Sequence, residues 1–150
     1  MMIYGAALEK PVTQEPGRIV TFKLGGEATL PSPLEYLVDE TPKTALVGDP
    51  ESWQLGMQRF AENCQFCHGA YAISSGVIPD LRWSAISASE EAWASVVRDG
   101  ILNDNGMVGF SDIINDEEIE AIRKYVIRQA WLAVENGNAE APELAAVSGE

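Results

Sequence analysis

Histidine occurs once in this chain of 150 residues, at His68, and cysteine only twice, at Cys64 and Cys67. A structural zinc site takes four ligands from cysteine and histidine, so three cannot close one. Basic side chains are scarce as well. Ten Lys and Arg face 23 Asp and Glu, for a net charge of −13, which makes nucleic acid an unsuitable partner. The same acidity favours encounter with a basic face on another protein, or simply keeps the chain dissolved. Although 46% of residues are hydrophobic, no apolar run reaches membrane-spanning length, and a soluble chain with no transmembrane segment is expected. The opening Met1-Met2-Ile3-Tyr4-Gly5 lacks the basic region and apolar core of a secretory signal. The numbering is expected to begin after export, or the chain to be a piece of a longer one.

What is present centres on Cys64-Gln65-Phe66-Cys67-His68. A C-x-x-C-H run reads as a c-type haem attachment site: two thiols bond one porphyrin and the adjacent imidazole lies under the iron. C-x-x-C alone also suits a redox dithiol or a disulfide. A thioredoxin-like dithiol, however, starts a helix within a strand-helix-strand pattern, and it has no use for the histidine. With no second histidine, the other axial ligand must be of another kind. Met107 lies in Gly106-Met107-Val108-Gly109-Phe110, where glycines let the backbone carry a thioether to a porphyrin face. Met1 and Met2 stand at the chain start, and Met57 shares a helical face turned toward the core. A thioether ligand favours ferrous iron and suits electron passage over oxygen binding.

Around that motif the grammar is helical. Asp49 can cap a helix whose first position is Pro50, and Trp53, Gly56, Met57 and Phe60 recur at helical spacing up to Cys64. A loop follows over 69–82. Ser87 with Glu90 three positions on reads as a capping box for a second helix carrying Trp93, Val96 and Val97, with Gly100 to end it. After a loop over 101–114, Asn115 and Glu118 form a second capping box, with Ile114 and Ile119 as its apolar staple. The stripe Ile119, Ile122, Val126, Ala130 and Ala133 runs on until Gly137. Six of the eight prolines (Pro11, Pro16, Pro31, Pro33, Pro42 and Pro50) fall in residues 1–50, which favours an extended course there. Within it, Arg18 to Leu24 reads as one short strand ending at Gly25-Gly26. That strand either lies on its own domain or completes a sheet elsewhere. The organisation expected is an arm or linker over 1–48 with a strand at 18–24, a domain over 49–137, and a flexible acidic tail over 138–150.

These residues resemble a class I cytochrome c: Gly56 and Phe60 on the first helix and Ile122 and Tyr125 on the last match the close crossing of that family's terminal helices. The resemblance is nearer still to the haem c domain of quinohaemoprotein (PQQ-dependent) alcohol dehydrogenases. It is carried by Cys64 to Gly69, Ser75-Gly76-Val77-Ile78-Pro79-Asp80-Leu81-Arg82, Asp99-Gly100, Gly106-Met107, Phe110 and Glu120 to Tyr125. Upstream, Gly17 to Gly26 is similar to the end of such an enzyme's β-propeller. The resemblance implies an all-α class I cytochrome c fold, three to five helices around one covalent haem c, with an extended proline-rich N-terminal arm. It implies that the Pro79 carbonyl orients the His68 imidazole and that Arg82 stands near a haem propionate. The cofactor-binding set expected is therefore Cys64, Cys67, His68, Pro79, Arg82 and Met107, with His68 and Met107 on the iron. Val108 departs from the family, which often has proline after the methionine.

The function expected is one-electron transfer. The donor would be a PQQ-dependent dehydrogenase propeller module or subunit, the acceptor a downstream redox protein, and the place the periplasm. The chain is too short to hold the propeller, so it is not expected to be an enzyme by itself. Two rivals remain: a free-standing periplasmic cytochrome c serving another oxidoreductase, and a haem sensor or peroxidase-like protein in which Met107 leaves the iron.

Overall fold

Asp49 accepts from the Ser52 amide at 2.9 Å while the Ser52 hydroxyl accepts from the Asp49 amide, and with Pro50 at the first position this starts α1, Pro50–Asn63. In the computed structural model, which describes residues 21–27, 29, 39–74 and 78–137, four α-helices follow one another. The short α2, Gln65–His68, continues from α1 across a break at Cys64; α3 spans Glu90–Val97 and α4 spans Asp116–Glu135. No strand occurs among the described residues. The core lies where α1 crosses α4, the principal contact between helices. Gly56 and Phe60, four apart and so on one face of α1, are both buried there. The Phe60 and Tyr125 rings meet with centroids 5.3 Å apart, tilted by 50°.

α4 starts as its capping box requires. Asn115 accepts from the Glu118 amide and Glu118 accepts from the Asn115 amide, and Ile114 and Ile119 are buried on either side of the cap. The expected stripe is buried throughout, and so are Ala121, Arg123, Tyr125 and Ile127, because the helix is covered on more than one side. Met57 differs from expectation. It is 49% exposed, since it lies about a hundred degrees around the helix from Gly56 and about sixty from Phe60.

The start of α3 also moves. Its cap is Ser89, which accepts from the Ala92 amide. Ser87 instead lies buried in a 3-10 turn over Ala85–Ala88, where its hydroxyl donates to the Ser84 carbonyl. Its own carbonyl takes the Arg123 guanidinium at 2.8 Å. Arg123, 4% exposed, is further paired with Glu120 at 2.7 Å and Glu90 at 3.1 Å, so its buried charge is compensated. The Trp93 indole donates to the Ile119 carbonyl at 3.1 Å and ties α3 to the first turn of α4.

Of the expected strand at 18–24, residues 18–20 lie outside the described residues. Residues 21–23 form no regular structure, Leu24 and Gly25 make a turn, and Phe22 and Leu24 stand fully in solvent. The tail expected over 138–150, and Ser75 to Val77, also lie outside the described residues. Residues 42–47, by contrast, run along the domain: Pro42 is buried, the Trp131 indole donates to the Thr44 carbonyl at 3.0 Å, and the Trp53 indole donates to the Val47 carbonyl at 2.8 Å. Trp131→Phe keeps the ring and removes the donor. It is expected to cost about 1 kcal/mol and to speed hydrogen exchange over 42–47, read by mass spectrometry; unchanged exchange there would mean that the indole bond does not hold the segment.

Candidate functional site

α1 hands the chain to the attachment motif without a loop. The Cys64 amide still donates to the Phe60 carbonyl at 2.8 Å, and the Cys64 carbonyl accepts from Cys67 and His68 at 3.2 and 3.0 Å. This single turn sets the two cysteines three positions apart, one buried and one exposed, with no disulfide between them. Burial, with Cys67 nearby, pushes the Cys64 thiol up to about 12. A redox dithiol needs the opposite, a thiolate stabilised near neutral pH. His68 ends α2 at the half-buried rim. Burial pulls its imidazole below the usual histidine range, and the Pro79 backbone carbonyl acts in the other direction. A neutral imidazole has a lone pair to give a metal. Its Nδ1 is shut off from solvent with no hydrogen-bond partner of good geometry, and Pro79 is the group near enough to supply one.

Met107 approaches the core from a later loop. It packs, half-buried, against the cluster formed by Phe60, Cys64, Ala72, Trp93, Val97, Ile114, Ile119, Ile122, Tyr125 and Val126. Cys64 therefore belongs to the apolar cluster that Met107 packs against, and His68, on the same turn as Cys64, has the Pro79 carbonyl beside it. Arg82 is paired within its own loop. Its Nε and Nη2 donate to Asp80 at 3.0 and 2.7 Å, and its guanidinium lies over the Trp83 ring at 4.8 Å. That two-pronged pair fixes the side chain, and Nη1 takes no part in it. Glu40, whose carboxyl burial holds above the usual range, feels both Arg82 and Asp80, so the upstream segment reaches this loop too. The Asp80 pairing could have been read from the i, i+2 spacing; the role of Glu40 could not.

The residues from α1 to the middle of α4, 51–126, match the family described as cytochrome c oxidase, cbb3-type, subunit III. The chain belongs to this family of c-type cytochrome domains. Curated relatives of the cytochrome domain include quinohemoprotein alcohol dehydrogenase ADH IIB of Pseudomonas putida, 35% identical over 85% of this chain and 18% of that protein. The dehydrogenase subunit of the quinone alcohol dehydrogenase of Gluconobacter oxydans is 33% identical over 84% of this chain and 16% of the relative. Among solved structures, quinohemoprotein alcohol dehydrogenase ADHIIG from Pseudomonas putida HK5 aligns with a TM-score of 0.66 at 31% identity, covering 77% of this chain and 16% of that one. The chain thus spans less than a fifth of the length of these relatives. Among the described residues, no helix of the cytochrome domain is long and apolar enough to cross a membrane.

The donor set fits a haem c. Two thiols on one turn, an imidazole whose Nδ1 has the Pro79 carbonyl beside it and whose Nε2 is thereby left as the donor, and a thioether on the apolar cluster that Cys64 enters are the chemistry that such a group uses.

Proposed function

We propose that this domain carries one haem c, bonded through Cys64 and Cys67 and ligated by His68 and Met107, and relays single electrons. The observation that carries the reading is the meeting of Cys64, the first residue of the attachment motif, and Met107 on one apolar cluster. When bound, a haem c takes up and gives back one electron as its iron changes between ferric and ferrous. The protein's part is positional. Cys64 and Cys67 would anchor the group to α2, the Pro79 carbonyl would accept a hydrogen bond from His68 Nδ1–H and fix the ring plane, and the thioether would raise the potential. The cluster around Phe60 and Trp93 keeps water away, and Arg82, held by Asp80, offers its remaining edge to a propionate.

The donor in this reading is a PQQ-dependent alcohol dehydrogenase module, in the same polypeptide or in a separate subunit, and the acceptor is a downstream redox protein. The names and lengths of the relatives support a dehydrogenase partner. Because maturation of haem c in bacteria takes place outside the cytoplasm, the domain belongs to the periplasm. The test begins with a pyridine-haemochrome spectrum, expected to show one haem c per chain. The ferric protein is then mixed with a purified PQQ dehydrogenase propeller module and alcohol. Haem reduction is expected, with a rate that changes with salt because the chain carries a net charge of −13. A colourless protein, or no reduction at any salt concentration, would refute the proposal.

A further inference from the structure

Met107 sits in a loop that its own neighbours do little to stiffen. Gly106, at φ +91°, has open space where a side chain would stand, and Val108 is exposed. The base of the loop is held by backbone: the Phe110 amide donates to the Val97 carbonyl at 2.8 Å, and the Met107 amide donates to the Leu102 carbonyl at 3.2 Å. Gly109 packs so closely on the preceding turn that a Cβ there would stand 2.9 Å from the Arg98 carbonyl oxygen. One side chain spans what lies between. Asn103 Oδ1 accepts from the Gly109 amide at 3.0 Å, while its backbone carbonyl accepts from Gly106 and its amide donates to Gly100, at 3.0 and 2.9 Å. This is the one side-chain hydrogen bond over residues 100–110 among the described residues. It ties the fourth residue before Met107 to the second after it. The Asn103 amide fills the elbow over Gly100, where a Cβ would come within 2.7 Å of Oδ1 and 2.8 Å of Nδ2. Gly100 is accordingly buried, with the left-handed backbone that a side chain would strain.

We infer that Asn103 is the positioning residue for Met107. Its amide oxygen closes the loop across Val108 and so decides where the thioether stands. This rests on Met107 being the iron ligand, and it adds a residue that neither the attachment motif nor the methionine itself would point to. What the position needs is an acceptor at Oδ1. Aspartate supplies one and alanine does not, which makes the role separable from bulk.

The test uses the full chain matured with its haem. In the ferric state the readouts are the red charge-transfer band of thioether-ligated iron and the affinity for added imidazole. Hydrogen exchange at the Gly109 amide is a third readout that does not involve the iron. Asn103→Ala is expected to speed Gly109 exchange, to weaken the band and to raise imidazole affinity about fivefold, equivalent to ~1 kcal/mol, the usual worth of one hydrogen bond. Asn103→Asp is expected to restore all three. A Met107→Ala protein separates the two ideas. If it loses the band while Asn103→Ala keeps wild-type band and imidazole affinity, or if aspartate fails to rescue, the Asn103 role is overturned and the ligand assignment stands. If the wild-type band is absent or survives Met107→Ala, both are overturned.

Discussion

Met107→Ala is expected to convert an iron closed on both faces into one that binds carbon monoxide when ferrous and imidazole when ferric. Affinity for either should rise by about two orders of magnitude, ~2.8 kcal/mol at 1.4 kcal/mol per decade. The reasoning starts from scarcity. The chain has a single histidine and four methionines; of the two that lie among the described residues, Met57 stands 49% exposed and Met107 packs against the cluster that Cys64 enters. Removing the thioether leaves Cys64, which the attachment would use, as the remaining sulfur among the described residues of that cluster. The reduction potential should fall as well, since the thioether favours the ferrous state. Losing a half-buried methionine also costs packing, about 2 kcal/mol, which is too little to unfold a domain stabilised by 5–15 kcal/mol. Carbon monoxide difference spectra on wild type and variant read the result. Wild-type protein that already binds carbon monoxide at neutral pH would favour the sensor or peroxidase-like alternative, and a variant that gains no binding would remove Met107 from the iron.

Gly56→Ala is expected to destabilise the domain by about 3 kcal/mol or more, at or beyond the upper end of overpacking costs. A Cβ at Gly56 would stand 2.0 Å from the Ala121 carbonyl oxygen, 2.6 Å from its carbon and 2.8 Å from Tyr125 Cβ. These are backbone and root atoms of α4, so no change of rotamer relieves the contact, and the helices must separate along the Phe60–Tyr125 contact. Alanine's better helix propensity returns only about 1 kcal/mol. Because α1 runs straight into Cys64, its displacement would also move the attachment turn. Urea denaturation measures the loss, which should appear as a lower midpoint with little change in slope. The fair control is Gly106→Ala, a left-handed glycine with open space around it, expected to cost about 1 kcal/mol. If Gly56→Ala matches that control, the two helices do not cross as closely as described.

The alternative of a free-standing cytochrome gains one point from the structure. Residues 42–47 lie on their own domain through Trp53 and Trp131, as a self-contained protein would arrange them. The same contact is compatible with a linker leading to an upstream module. Electron transfer with the propeller module decides between them.

Features legible before folding were local ones. The cap at Asp49 and the capping box at Asn115 were legible because their hydrogen bonds close over three residues, and the C-x-x-C-H motif because it occupies five consecutive positions. The close crossing at Gly56 was legible through family resemblance. Tertiary structure decided what depends on partners remote in the chain. Two serines compete for the start of α3, and the favoured signature belongs to Ser87; Ser89 wins because Arg123, from α4, takes the Ser87 carbonyl. Met57 carries the same apolar side chain in the core or in water, and only the direction from which α4 approaches sets which. Asn103 reads as one more polar loop residue until folding brings Gly100 and Gly109 together beneath its amide. Hydrogen bonds within a turn are specified by spacing, whereas those across the fold depend on which backbone groups packing leaves without another partner.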